Sequence, residues 1–207
     1  ARSQLGYPIF AQAQPNDGHR SLAALEQRGL VFGLITQSVD RLHQRAGQQQ
    51  VLDLHGRLDQ VRCIECDYQS ARSVVQDWLQ QKNPWISTEH VIPAPDGDAD
   101  IELDFNRVKV PECPCCGGIL KPDVVFFGDA VPKTDVAQGY RWVENAQAVL
   151  VVGTSLMVYS SFRFVRKAYE LGLPVMAINQ GKTRGDEFFA VKADINCVQG
   201  LAALVDF

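Results

Sequence analysis

Four of the six cysteines in this 207-residue chain fall into two Cys-x-x-Cys pairs, Cys63/Cys66 and Cys113/Cys116. Each pair on a tight turn aims both sulfurs at one point, and two such turns make the tetrahedron that zinc prefers. Gly117-Gly118 suits the second turn. Two disulfides or a redox Cys-x-x-Cys would use the same residues, but nothing in the composition suggests a small secreted scaffold, so zinc is the expected occupant. Four sulfur ligands leave no open coordination position, which makes such a metal structural and not catalytic. Cys115 either competes for the metal or is a bystander, and Cys197 reads by residue type as a small buried hydrophobe.

A second set of polar residues follows apolar runs. Leu30 to Thr36 is apolar without alternation, as a parallel strand covered on both faces would be, and it runs into Gln37-Ser38-Val39-Asp40. Val51 to Leu54 reads as a short strand ending at His55-Gly56. Open α/β sheets bind ligands at the carboxyl ends of their strands, so Gln37, Asp40 and His55 are candidates to meet in one cleft. By itself a lone histidine is more often a structural residue, and His19 and His43 carry only that reading. Gln147 to Val152 is a buried strand entering Gly153-Thr154-Ser155-Leu156, a turn that lets the backbone approach a phosphate or ribose with two hydroxyls to assist. Pro174 to Ile178 is a further strand, ending in Asn179.

The elements that position these residues alternate between helix and strand. Helices are expected over Ser21 to Arg28, Asp135 to Ala146 and Ser161 to Leu171, with a strand near Ile195 and a helix from Leu201 to Val205. Repeated strand, polar turn and helix predict an α/β fold, a doubly wound parallel sheet of Rossmann type with an inserted small zinc-binding module. The expected boundaries are 1–56 and 121–207 for the sheet domain and 57–120 for the zinc module. Within the module, Ala71 to Lys82 has Val74, Val75, Trp78 and Leu79 at helical spacing, and the acidic, breaker-rich stretch from Ile92 to Asp104 reads as a solvated loop. Val124 to Phe127, bounded by Pro122 and Gly128, reads as a short strand covered on both sides. Its edge would suit an extended peptide, and a plain core strand would look the same. Ala1 to Pro15 reads as a surface segment or the tail of an element.

Composition excludes several classes. A formal charge of −4 without a basic block gives no electrostatic support for nucleic-acid binding. No apolar run approaches the ~18 residues of a membrane span. Hydrophobic residues make up 46% of the chain, ample for a core.

Taken together, Gln37-Ser38-Val39-Asp40-x-Leu42-His43, Leu54-His55-Gly56, the two cysteine pairs, Lys121 to Asp129, Gly153-Thr154-Ser155-Leu156-x-Val158 and Ile178-Asn179 resemble a sirtuin in order, spacing and identity. Within the family the loop at Ala94 to Asp98 and the Phe126 to Asp129 stretch are similar to the class II, sirtuin-4 type. The resemblance implies an NAD-dependent protein-lysine deacylase, in which the acyl oxygen of a modified lysine displaces nicotinamide from the ribose and the acyl group passes to ADP-ribose. It implies His55 as general base, with Gln37, Ser38, Asp40, Gly153, Thr154, Ser155, Asn179 and Cys197 around NAD. It implies Val125, Phe126, Phe127, Gly128 and Val158 at the substrate peptide, and structural zinc on Cys63, Cys66, Cys113 and Cys116. Acylated protein lysines are then the partners, with no nucleic acid and no membrane, and the protein a monomer. The setting would be cytoplasmic for a bacterial chain and the mitochondrial matrix for a eukaryotic one.

Two departures stand out. The family's Gly-Ala-Gly-x-Ser turn is not found in these residues, so an amino-terminal portion is expected to precede Ala1. Ser38 stands where the family usually has Asn, offering one hydroxyl in place of an amide, and lower turnover is expected from it. The alternatives are an ADP-ribosyltransferase using the same cleft, a catalytically weak acyl-lysine or ADP-ribose binding module, and a zinc-ribbon adaptor.

Overall fold

The computed structural model describes residues 1–86, 92–93, 99–100 and 104–207, the two short middle segments by backbone only. In chain order the elements are α1 (Arg2–Gln12), α2 (Asp17–Gln27), β1 (Leu34–Thr36), α3 (Leu42–Arg45), β2 (Val51–Asp53), β3 (Gly56–Cys63), β4 (Gln69–Ala71) and α4 (Arg72–Lys82). They continue with β5 (Ile92–Pro93), β6 (Ala99–Asp100), β7 (Leu120–Val124), α5 (Lys133–Glu144), β8 (Val149–Val152), α6 (Tyr159–Glu170), β9 (Val175–Ile178), β10 (Val191–Ala193) and α7 (Cys197–Asp206). The chain divides into two compact units. One comprises Ala1–Gln14, Val39–Arg41 and Gly56–Val124; the other comprises Pro15–Ser38, Leu42–His55 and Val125–Phe207.

The larger unit is α/β. Its strands pair in parallel, β1 with β2 and β8 with β9 with β10, in the register Thr36 to Asp53 and Val152 to Ile178. Parallel strands require crossovers, and the intervening helices supply them. α2 starts at a capping box, in which the Asn16 Oδ1 accepts the His19 N–H at 3.1 Å and His19 Nδ1 accepts the Asn16 N–H at 3.3 Å. Leu22 and Leu25 of α2 join Leu201 of α7 and Ile178 in one buried cluster. Val143 of α5 and Phe162, Phe164, Val165 and Ala168 of α6 join Val151, Val175 and Ala177 in another. Two helical layers around short parallel strands are the covering that a doubly wound sheet needs.

The smaller unit is built on the antiparallel sheet β4-β3-β7. Gly56 opens β3 at φ +79, and a Cβ there would fall 2.1 Å from the Asp123 carbonyl oxygen, so only glycine permits this close approach. α1 and α4 pack in the same unit. Arg72, 2% exposed, stacks over the Tyr7 ring at 4.4 Å and donates to the Ser3 carbonyl at 2.9 Å. Pro8 lies inside α1 and brings no N–H for the Gln4 carbonyl; Gln76 Nε2 supplies the missing donor at 2.8 Å.

That compensation is why Ala1 to Pro15, expected as a surface segment or a tail, forms an 11-residue helix with Leu5 buried. A second correction concerns Val124 to Phe127. The strand is Leu120–Val124, and Phe126 and Phe127 are 48% and 96% exposed. Beyond Val124 the chain makes a tight turn: the Asp129 N–H donates to the Phe126 carbonyl at 2.9 Å, the Phe126 N–H donates to Asp129 Oδ2 at 3.2 Å, and Gly128 takes φ +92. A third is the carboxyl-terminal strand, which is Val191–Ala193 and not at Ile195. The expected solvated loop around Asp96 and Asp98 lies outside the described residues, apart from the short antiparallel pair β5 and β6.

Candidate active site and metal centre

The metal centre belongs to the smaller unit. Cys63 and Cys66 stand at and just beyond the end of β3, and Cys113 and Cys116 on the turn before β7. The turn closes because the Gly117 N–H donates to the Cys113 carbonyl and the Cys113 N–H to the Gly118 carbonyl, each at 2.8 Å. The sulfurs of Cys63 and Cys116 are 3.6 Å apart, as are those of Cys66 and Cys113, and all four lie within 4.8 Å of one another. A zinc tetrahedron with Zn–S of about 2.3 Å has an S–S edge of about 3.8 Å, so the donor set fits zinc. Burial acts to raise the Cys113 thiol, yet the backbone amides of Cys115 and Cys116 bring it down to about 7, already favourable to the thiolate that a metal requires. Cys115 is exposed and outside the four-sulfur group, a bystander to it.

The other candidate site is at the carboxyl ends of the parallel strands in the larger unit. The Leu54 N–H donates to the Thr36 carbonyl at 2.9 Å, extending the β1–β2 pairing so that Gln37 and His55 leave neighbouring strands together. Gln37 Nε2 donates to Thr154 Oγ1 at 3.0 Å, and the Leu156 N–H donates to the same oxygen at 3.1 Å. The Gly153 N–H donates to the Ile178 carbonyl at 3.1 Å, setting the turn after β8 beside Asn179, which is buried. Gly153 has φ +58, and a Cβ there would sit 3.3 Å from Cys197 Sγ on the first turn of α7. Leu156 holds φ +56, a conformation leucine rarely adopts, and backbone strain of this kind gathers at ligand-binding turns.

His55 is half-buried, and its Nε2 lies 2.8 Å from the Ser160 hydroxyl. Burial lowers its pKa below the ordinary histidine value, opposed by the ring's hydrogen bond to the Gln37 backbone. A histidine held neutral at physiological pH can accept a proton. On its other side the His55 carbonyl accepts the Val125 N–H at 2.9 Å, which brings the segment from Val125 to Gly128 to the base. Val158, 42% exposed, caps α6.

Within the larger unit the structure therefore links Gln37, His55, Gly153, Thr154, Asn179 and Cys197 through contacts, with Ser155 on the same turn. Ser38 is exposed, its N–H donating to Thr36 Oγ1 at 3.1 Å. Asp40 belongs to the smaller unit, in a segment whose Val39 carbonyl accepts the Leu58 N–H at 2.8 Å. Two residues were not singled out by sequence. Ser160 reads as an ordinary helix-start serine. Arg184 donates from its backbone to the Ser155 carbonyl at 2.9 Å and from Nη1 to the Met157 carbonyl at 3.0 Å, bracing the turn from outside. No local signal marks Arg184, which comes from a loop distant in sequence.

The Sir2 family model matches residues 4–160. This chain belongs to the Sir2 family. Among proteins similar to this sirtuin, an NAD-dependent protein deacetylase of Bordetella bronchiseptica is 54% identical over 206 residues, covering 99% of the chain and 75% of the relative. Another, of Xanthomonas axonopodis pv. citri, is 53% identical over 205 residues, covering 99% and 70%. A solved structure of Sir2 with a p53 peptide and NAD+ matches with TM-score 0.76 at 28% identity, covering 96% of this sirtuin and 72% of that chain.

Proposed function

We propose that this sirtuin is an NAD-dependent protein-lysine deacylase, with His55 as its general base and zinc as a structural metal. The relatives named NAD-dependent protein deacetylase support the activity class. The observation that carries the assignment of the base is His55 itself, half-buried at the carboxyl end of β2, kept neutral by burial and in contact with the Gln37 backbone.

The glycine turn suits a dinucleotide. With no Cβ at Gly153 the backbone approaches within reach of a phosphate or ribose, Thr154 and Ser155 bring hydroxyls and Asn179 an amide, and Cys197 lines the turn. Gln37 and Ser38 are assigned to the nicotinamide-ribose end, and Asp40 to the same cofactor by its place in the motif alone. When bound, NAD supplies a ribose carbon activated by the departure of nicotinamide. His55 would then take a proton from a hydroxyl at Nε2, its lowered pKa keeping the ring neutral near physiological pH. Val125 to Gly128 and Val158 are assigned to the peptide, whose backbone would add as an extended strand beside them. The four cysteines would hold a zinc that takes no part in this chemistry, since a four-sulfur site has no position open to a substrate.

Deacetylation of an acetyl-lysine peptide, followed by mass spectrometry with and without NAD, tests the reading. Loss of the acetyl group only when NAD is present, with one nicotinamide formed per lysine freed, is the expected result. Nicotinamide release that ignores the peptide would instead identify an ADP-ribosyltransferase.

A further inference from the structure

Ser160 is 8% exposed on the first turn of α6, and its hydroxyl faces His55 Nε2 at 2.8 Å. A serine at a helix start is normally spent on a cap, yet α6 begins at Val158 without a side-chain cap bond, and it is Ser161 whose hydroxyl donates to the Val158 carbonyl, at 3.1 Å. The backbone that carries Ser160 is anchored by the core. Its neighbours Phe162, Phe164 and Val165 are buried in the core cluster shared with Val151 and Val175, so α6 cannot shift without disturbing that packing.

The imidazole is thereby held from two sides. Its ring meets the Gln37 backbone, which favours a proton on that side, and Ser160 meets Nε2. A neutral imidazole has one N–H and one lone pair, so an acceptor at one nitrogen and a hydroxyl donor at the other select a single tautomer and fix the ring's rotation. We propose that Ser160 is a positioning residue for the base: its hydroxyl donates to Nε2 in the resting protein and keeps the lone pair on the nitrogen that accepts the substrate proton. A serine hydroxyl also accepts, so the same side chain can turn and hold the protonated ring after the transfer. The inference rests on His55 being the base of a deacylase.

The first test needs no cofactor. Nitrogen NMR of the His55 ring, assigned with a His55→Gln variant, should show one neutral tautomer in the wild-type chain, protonated at Nδ1, and a mixture in Ser160→Ala. The opposite tautomer in the wild type, or an unchanged spectrum in the variant, would overturn the proposal. In kinetics, Ser160→Ala should lower kcat about tenfold with KM for NAD and for peptide within about twofold, and Ser160→Thr, which keeps the hydroxyl, should recover most of kcat. An unchanged or raised kcat in Ser160→Ala would refute positioning, the raised value showing that Ser160 blocks the base. If the wild-type chain proves inactive, the kinetic arm fails together with the deacylase reading, while the NMR arm still decides the tautomer.

Discussion

Gln37 Nε2 donates to Thr154 Oγ1 at 3.0 Å, tying the loop after β1 to the glycine turn after β8 although 117 positions separate the two residues. The bond aligns an amide and a hydroxyl at the ends of two parallel strands. Gln37→Ala and Thr154→Val should each raise KM for NAD about tenfold, and the double variant should be much less than additive. A coupling of about 1 kcal/mol is expected for one partly buried hydrogen bond. Additive effects in the double-mutant cycle would show that the two residues act separately.

Zinc should be stoichiometric and structural. Metal analysis should find one zinc per chain, and Cys113→Ser or a strong chelator should remove it and destabilise the β3–β7 sheet by about 3 kcal/mol or more, seen as a Tm lower by roughly 6–12 °C. Metal uptake releases thiol protons, so zinc affinity should fall steadily as pH drops, Cys113 competing later than Cys66 and Cys116 through its lowered pKa. Retention of the fold without metal would make the four-sulfur cluster a dispensable feature.

Phe127 is 96% exposed, an apolar ring whose truncation removes almost no buried area. Phe127→Ala should leave the unfolding free energy within about 0.5 kcal/mol of the wild type while raising KM for the acylated peptide several-fold. An unchanged peptide KM would remove the turn from the substrate site.

Much of this was readable in the sequence, and the exceptions share a cause. The parallel strands announced themselves as unbroken apolar runs, and the cysteine spacing anticipated a four-sulfur cluster because that geometry is local. Val124 to Phe127 misled for the converse reason. Its composition matches a covered strand, but the β3–β7 register ends at Gly56 and Val124, and the turn that the Asp129 side chain holds leaves both phenylalanines exposed. α1 was masked by Pro8, and the side chain that compensates for it, Gln76, lies far along the chain. Ser160 was invisible because its importance lies in a partner 105 positions away.

Ser38→Asn should turn over faster than the wild type, since an amide replaces a single hydroxyl beside Gln37. Steady-state rates at saturating NAD and peptide decide it, and a variant no faster would mean that Ser38 does not limit the reaction.

A neutral His55 acting as base in an NAD-dependent deacylation should show itself in nicotinamide release with an acetyl-lysine peptide, measured across about pH 5 to 9. The His55 pKa is depressed in the folded protein, so the neutral base persists below the ordinary histidine value, and kcat/KM should fall only on the acid side of pH 6.5. His55→Ala should lose at least about a hundredfold at neutral pH and lose the acid limb with it. Peptide-dependent release that survives in His55→Ala with the same pH profile would show that His55 is not the base.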